Sequence, residues 1–278
     1  MIKPKTPQQQ ADVAGHYDEL DKVYREIWGE HVHHGLWRSG RESVAEATDA
    51  LSDLVGERLG ARSGDHLADI GCGYGATAER FAGRLGVSVT GFTLSEEQAR
   101  VALARPAALT FHVRDWLANG MVDASFDHAY AIESTEHMAD KAGLFREVAR
   151  TLKPGGRFVV CAWLSEDSPG RWRVRYLLEP ICREGRLPGM GTRGEYEGWA
   201  EAAGLRTVSY EDISRGVRRT WSIVARRVAR RLLTTARYRS LLMSRSTRNR
   251  QFALSLPRLI LAYRTGAMRY GVFTFEKR

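Results

Sequence analysis

Cysteine is scarce in this sequence, and no arrangement of it suggests chemistry. Cys72, Cys161 and Cys182 are the three among 278 residues, and none sits at a pairing distance. That argues against a disulfide framework and against a cysteine-built zinc site. No apolar segment follows Lys3 and Lys5, and no uninterrupted apolar run reaches membrane-spanning length. Neither a secretory leader nor a transmembrane helix is expected, and the cytoplasm is the default compartment. Internal repeats and low-complexity tracts are missing too. Acidic residues nearly vanish after position 214: residues 215–278 hold 17 lysines and arginines and one acid, Glu276. That segment carries +16, so with +9 overall the first 214 residues carry −7. An acidic body therefore bears a strongly basic C-terminal quarter. What remains is ordinary globular material, with 43% hydrophobic residues, enough to bury a full core.

Spacing then suggests the organisation. Val13, Tyr17, Leu20, Tyr24 and Ile27/Trp28 recur at three and four, which predicts a helix over 11–29 stopped by Gly29. A loop rich in histidine and aromatic residues (31–37) leads to a second helix near 41–59, ended by Gly60. From Asp65 strands and helices alternate: strands over 66–70, 87–92, 108–112, 126–132 and 156–163, helices over 76–85, 95–104 and 140–151. Such alternation predicts a parallel sheet with helices on both faces. Residues 164–190 read as irregular. A helix over 193–203 follows, with Thr192 as N-cap and Gly204 as stop, then strands over 205–211 and 269–276. The expected domains are an N-terminal helical cap (1–60), a Rossmann-like core (61–212 and 269–278) and a basic helical insertion or lid (213–268).

The chemistry concentrates at strand ends. Leu67 to Ile70 is an apolar strand carrying Asp69. It turns through Gly71, Cys72, Gly73, Tyr74 and Gly75 into a helix whose N-terminus favours electronegative groups. Gly71, Gly73 and Ala76 also satisfy a dinucleotide fingerprint. Asp69 tilts the choice, because a carboxylate there suits the ammonium of S-adenosylmethionine and would repel a pyrophosphate. The second strand also ends without the ribose-binding acid of dinucleotide enzymes. Thr93 and Gln98 can serve a ribose instead, while Ser95 can simply cap the next helix. Asp115 can accept from an adenine amino group and Trp116 can stack or pack beside it, or the two can be a loop acid and a packing residue. Glu133, Glu136 and His137 stand at the end of the fourth strand, where open sheets bind ligands. His31, His33 and His34 cluster, but no further ligands complete a metal site, so none is expected.

Four ordered segments resemble class I S-adenosylmethionine-dependent methyltransferases: Asp69-Ile-Gly-Cys-Gly-Tyr-Gly75, Gly91-Phe-Thr-Leu-Ser-Glu-Glu-Gln98, Phe126-Asp127 and Leu152-Lys-Pro-Gly-Gly156. A narrower resemblance spans nearly the whole chain. Tyr17-Asp18-Glu19, Ile27-Trp28-Gly29-Glu30-His31-Val32-His33-His34-Gly35 and Glu133-Ser-Thr-Glu-His-Met-Ala-Asp-Lys141 resemble the γ-tocopherol methyltransferases and their plant and bacterial natural-product relatives. The resemblance implies a seven-stranded sheet with an antiparallel last hairpin. It implies S-adenosyl-L-methionine as cofactor, lined by Tyr17, Asp69, Gly71, Cys72, Gly73, Thr93, Leu94, Gln98, Asp115 and Trp116. His34, Trp37 and the Glu133–His137 turn would face the acceptor. The arginine content of 215–250 exceeds what this family leads one to expect.

The expected reaction is methyl transfer to a small lipophilic or aromatic acceptor, such as a prenylated hydroquinone, a phenol or a related natural product. Another secondary metabolite methylated on O or N is the alternative. RNA is a weaker one, since no RNA-binding module and no Asn/Asp-Pro-Pro-Tyr motif is present. A phenolic acceptor needs its proton removed, and an imidazole suits that task near neutral pH. His137 and His34 are the candidates, with Glu133 or Glu136 orienting or replacing them. In the insertion, Trp221, Val224, Ala225, Val228 and Leu232 fall at helical spacing opposite Arg219, Arg226, Arg227, Arg230 and Arg231. Two readings follow. The helix lies on an anionic bilayer with Trp221 at headgroup depth, or it is a lid that packs Trp221 against the substrate.

Overall fold

The computed structural model describes residues 1–8, 26–27, 29, 31–106, 109–236, 238–239 and 250–278, with backbone alone over 250–254. Tyr17 and most of the helix expected over 11–29 lie outside the described residues.

Helix α1 (Val44–Leu59) starts at a reciprocal capping box between Ser43 and Glu46 and stops at Gly60, which is left-handed at φ +64°; both signals are local and fix its limits. Strands β1 (His66–Ile70), β2 (Ser88–Thr93), β3 (Leu109–Val113), β4 (His128–Ile132) and β5 (Arg157–Ser165) then alternate with α2 (Ala76–Leu85), α3 (Glu96–Ala102) and α4 (Lys141–Thr151). The fourth strand is shorter than expected because Phe126 bridges to Leu152 rather than joining the ladder. Strands β6 (Leu205–Asp212) and β7 (Met268–Lys277) complete a seven-stranded sheet of order β3-β2-β1-β4-β5-β7-β6. Strand β7 is antiparallel to both neighbours, β5 and β6, and the other pairings are parallel. The parallel part is the sheet that the alternation predicts, and the antiparallel last hairpin is the one that the resemblance implies.

Each face of the sheet carries a core. Leu51, Val55, Phe81, Tyr130 and Val159 pack on one side, and Phe145, Val148, Phe158 and Phe275 on the other. The order reverses beside β1 and β4, so the cleft of an open sheet falls at their carboxyl ends.

Two expectations need correction. Residues 164–190 are largely helical: α5 (Arg171–Arg173), a π-turn (Val174–Leu178) and α6 (Glu179–Glu184) run consecutively. Pro169-Gly170 and Gly185 punctuate the stretch, and its aromatic residues, Trp172 and Tyr176, stay exposed. Burial then falls on Leu177, Leu178, Ile181 and Cys182, which is one helical face. After α7 (Arg193–Ala202), capped as expected by Thr192, the insertion supplies α8 (Ser214–Val217), α9 (Arg219–Thr234) and α10 (Arg250–Thr265). The second correction concerns α9. Trp221 and Val224 are buried, and Ala225, Val228 and Leu232 pack against the same core. The apolar stripe is used inside the protein and is not free to enter a bilayer. Among the described residues no helix is long and apolar enough to cross a membrane.

Candidate active site

The glycine-rich turn after β1 is held by β2. Gly71 and Cys72 both donate backbone N–H groups to the Phe92 carbonyl, at 2.9 Å each. Gly71 has φ +85°, and a Cβ there would lie 2.3 Å from the Ser134 Cβ, so close approach of the β4 turn requires glycine. Asp69 is buried just before it, and Tyr130 donates a hydrogen bond of 2.8 Å to its carboxylate. Burial outweighs that bond and pushes Asp69 up to about 7. A buried carboxylate held by one neutral donor is short of positive charge, and it opens on a small pocket with Gly71, Gly73 and Thr77. This fits an α-ammonium.

A neighbouring cavity is lined by Gly71, Gly73, Thr93, Leu94, Gln98, Asp115 and Trp116 on one side and by Glu133, Ser134 and His137 on the other. Its walls are fixed by short-range bonds. Thr93 donates to Gln98 at 2.8 Å, the Gln98 backbone N–H donates to Ser95 at 3.1 Å, and Asp115 accepts from the Leu117 N–H at 3.0 Å. Trp116 packs edge-on against Phe92 with centroids 5.0 Å apart. Among the described residues its buried Nε1 has no hydrogen-bond partner. Trp116 is thus a core residue whose edge reaches the cavity.

On the other side Glu133 ends β4 with φ +53°, a left-handed conformation that costs a side-chain-bearing residue about 1–2 kcal/mol. Four donors hold it there. Its Oε1 accepts from the His34 N–H (2.6 Å) and the Tyr270 hydroxyl (2.8 Å). Its Oε2 accepts from the His34 Nδ1 (2.8 Å) and the Trp163 Nε1 (3.0 Å). Burial alone would raise this carboxyl; the facing His34 and the bonds from it hold Glu133 at about 2 instead. An ionised carboxylate only accepts, so Nδ1 carries the proton and Nε2 is left as the basic nitrogen. That ring is 1% exposed and is surrounded by Trp163, Trp221, Tyr263 and Tyr270 at centroid distances of 5.1–5.8 Å. The Tyr263 hydroxyl lies 3.5 Å from Nε2.

The remaining residues singled out from sequence fall elsewhere. His137 lines the cavity from the turn Thr135–His137. Glu136 turns inward and accepts from the Trp163 backbone N–H and the Thr135 hydroxyl, while Lys141 ties the same turn through the Thr135 and Met138 carbonyls at 3.1 and 2.9 Å. Trp37 is packed beneath Gly35 and donates to the Glu42 carbonyl at 3.3 Å, away from the His34 ring. His31 and His33 bond each other at 3.2 Å. His34 points oppositely to Glu133, so the three histidines do not converge. Trp163, Tyr263 and Tyr270 were not legible as site residues. Each is one aromatic among many until the pairing of β5 with β7 brings Trp163 and Tyr270 together and α10 adds Tyr263.

Comparison with known proteins agrees with this geometry. Residues 4–239 match the family model described as mycolic acid cyclopropane synthetase. The chain is 35% identical to 27-O-demethylrifamycin SV methyltransferase of Amycolatopsis mediterranei, over 82% of this chain and 84% of that protein. It is 30% identical to the chloroplastic tocopherol O-methyltransferase of Arabidopsis thaliana, over 95% of this chain and 81% of that one. Among solved structures, the [4+2]-cyclase SpnF superposes with a TM-score of 0.82 at 26% identity, covering 99% of this chain and 98% of that one. The cyclopropane synthase MmaA2 of Mycobacterium tuberculosis does so with a TM-score of 0.84 at 22% identity, covering 98% and 100%. The chain belongs to the mycolic acid cyclopropane synthetase family and is a class I S-adenosylmethionine-dependent methyltransferase.

Proposed function

We propose that this methyltransferase acts on the hydroxyl of a small lipophilic, phenolic natural product, with His34 as general base and Glu133 as the residue that orients it. The observation that carries the reading is Tyr263: its phenol sits 3.5 Å from the basic Nε2 of His34, inside an aromatic cage, so the site already accommodates a phenol of its own. When bound, S-adenosylmethionine supplies a methyl group already activated on a sulfonium. The chain's own residues then have three tasks. Asp69 would take the cofactor's ammonium, Thr93 and Gln98 its ribose and Asp115 its adenine amino group, with Gly71, Cys72, Gly73, Leu94 and Trp116 shaping the cavity. Trp163, Trp221 and Tyr270 exclude water and align the acceptor, and alignment alone is worth roughly 7–11 kcal/mol of barrier. His34 accepts the acceptor's proton at Nε2 as oxygen attacks the methyl carbon. His137, on the cavity side, shapes the acceptor's approach. O-methylation accords with relatives named as acting on tocopherol and on 27-O-demethylrifamycin SV.

In this reading 1–60 and 213–268 cover the core of 61–212 and 269–278, and α10 must shift to exchange Tyr263 for an acceptor. The exposed Arg226, Arg230 and Arg231 add a purely electrostatic contact with an anionic membrane, from which a lipophilic acceptor would enter. The test is incubation with labelled cofactor and a panel of lipophilic phenols, prenylated hydroquinones and aliphatic alcohols, followed by mass spectrometry of the products. Label on phenolic oxygen is expected. Transfer to aliphatic alcohols alone, or to none of the panel while a polar acceptor is methylated, overturns the reading.

A further inference from the structure

Several arginines in the body of the protein face carboxylates. Arg58 faces Glu211, Arg80 faces Asp49 and Asp53, Arg105 faces Glu79, and Arg150 faces Asp123 and Glu147. Helix α9 departs from that habit. Arg227, Arg230 and Arg231 share one face of it, at i, i+3 and i+4. Like charges so spaced repel by a few tenths of a kcal/mol per pair, roughly 0.2–0.5. Arg227 is tethered to the Ile27 carbonyl. Among the described residues no carboxylate lies within ion-pair distance of any of the three.

These arginines are not simply solvated. With Thr234 they form one wall of a cleft of about 870 Å³, whose other walls include Thr48 and Asp49 of α1 and the residues Glu26, Ile27, Gly29 and His31. Among the described residues that line it, the two acids are engaged elsewhere: Asp49 with Arg80 at 2.8 Å and His31 at 3.5 Å, Glu26 with the Tyr238 hydroxyl at 2.6 Å. Guanidinium forks match phosphate oxygens two at a time, and a multiply charged phosphate group would relieve all three repulsions at once.

We propose that the cleft between α9 and α1 is a binding site for a phosphate or diphosphate group, carried by a soluble small molecule or by a lipid headgroup. His31 lines both this cleft and the pocket under Gly71 and Gly73, so occupancy would be felt beside the cofactor. The site does not rest on the identity of the methyl acceptor or on membrane attachment, because a free anion suffices to fill it.

Isothermal titration with inorganic pyrophosphate at low salt tests it on the full chain, beside flotation with vesicles of phosphatidylglycerol or phosphatidylcholine. Wild type should bind pyrophosphate, and R230Q/R231Q should weaken that binding about tenfold or more, as loss of charge-assisted bonds implies. R230K/R231K should recover part of it, because charge returns without the fork. S-adenosylhomocysteine affinity, unchanged in both variants, reports that they fold. If pyrophosphate displaces phosphatidylglycerol vesicles, the cleft takes the headgroup. If pyrophosphate binds and vesicles do not, the cleft serves a soluble phosphate and the membrane contact fails on its own. Wild-type protein that binds neither, or R230Q/R231Q that binds pyrophosphate as tightly as wild type, overturns the proposal.

Discussion

Two buried carboxylates at neighbouring strand ends have opposite fates. Asp69 on β1 has one neutral donor, and burial pushes it up to about 7. Glu133, just after β4, has a side chain only 7% exposed, yet four donors, the facing imidazole among them, hold it at about 2. Both side chains are nearly covered; the number of donors aimed at each carboxylate is what differs. The half of the cleft around Asp69 is built short of a cation, which a ligand can bring. The half around Glu133 already contains its partner, so its geometry is set before any ligand arrives. One side is arranged for recognition, the other for positioning.

The largest effect should come from disturbing the preset side. His34→Ala should lower turnover by about 10²–10⁴-fold, the range for a general base, while S-adenosylhomocysteine affinity in calorimetry stays within threefold. If affinity collapses instead, His34 belongs to the recognition side. Glu133→Gln keeps the shape but removes the charge, and breaking a buried pair from one side costs about 3–5 kcal/mol. Urea denaturation should show that loss. A stability equal to wild type would mean that the pair is not formed as described.

Asp69→Ala should weaken S-adenosylhomocysteine by about 1.5–3 kcal/mol, the worth of a charged hydrogen bond, without a comparable loss of stability. The same carboxylate predicts a pH dependence. Only ionised Asp69 attracts an ammonium, and its pKa in the free protein is about 7. Affinity should therefore rise with pH up to about 7 and level off above it, and the slope should vanish in Asp69→Ala. A profile flat from pH 5 to about 8 in wild type would contradict the assignment. Stability shows the contrast with reversed sign. Glu133 is depressed, so its contribution is present above the ordinary carboxyl value of 4.5 and is lost as pH falls from there toward 2. Asp69 is raised, so its contribution without ligand declines as pH climbs from 3.8 toward 7.

The smallest effect is expected at His137, which lines the cavity away from the Glu133 carboxylate. His137→Ala should reduce turnover less than fivefold. A larger loss there than in His34→Ala would reverse the two imidazoles' roles.

Much of the recognition side was legible in the sequence because it is local. Asp69 through Gly75 and Thr93 through Gln98 each lie within a few residues, and their turn chemistry requires those residue types. The strands and helices were legible for the same reason, since alternation and capping at Ser95 and Thr192 are short-range signals. The positioning side was legible only in pieces. His34 and Glu133 stand out as candidates, but 99 positions separate them, and nothing in the sequence pairs them. Trp163, Tyr263 and Tyr270 carry no motif; Trp163 and Tyr270 become neighbours only through the return of β7 between β5 and β6, and Tyr263 joins them only through the packing of α10. Residues 171–184 were hidden by flanking glycines. The apolar stripe of α9 left two readings open, bilayer or lid, because amphipathic spacing identifies a stripe without saying what it meets.

That return of β7 also sets a timetable for the molecule's assembly. Strand β6 meets the sheet only through β7, whose residues leave the ribosome more than fifty positions later. Tyr270, which completes the shell around Glu133, travels on the same strand. Until the final stretch has been synthesised and has slotted between its neighbours, β6 has no ladder to join and Glu133 lacks one of its donors. A nascent chain can therefore gather its cofactor-side half early, but it cannot become an enzyme before its last strand arrives.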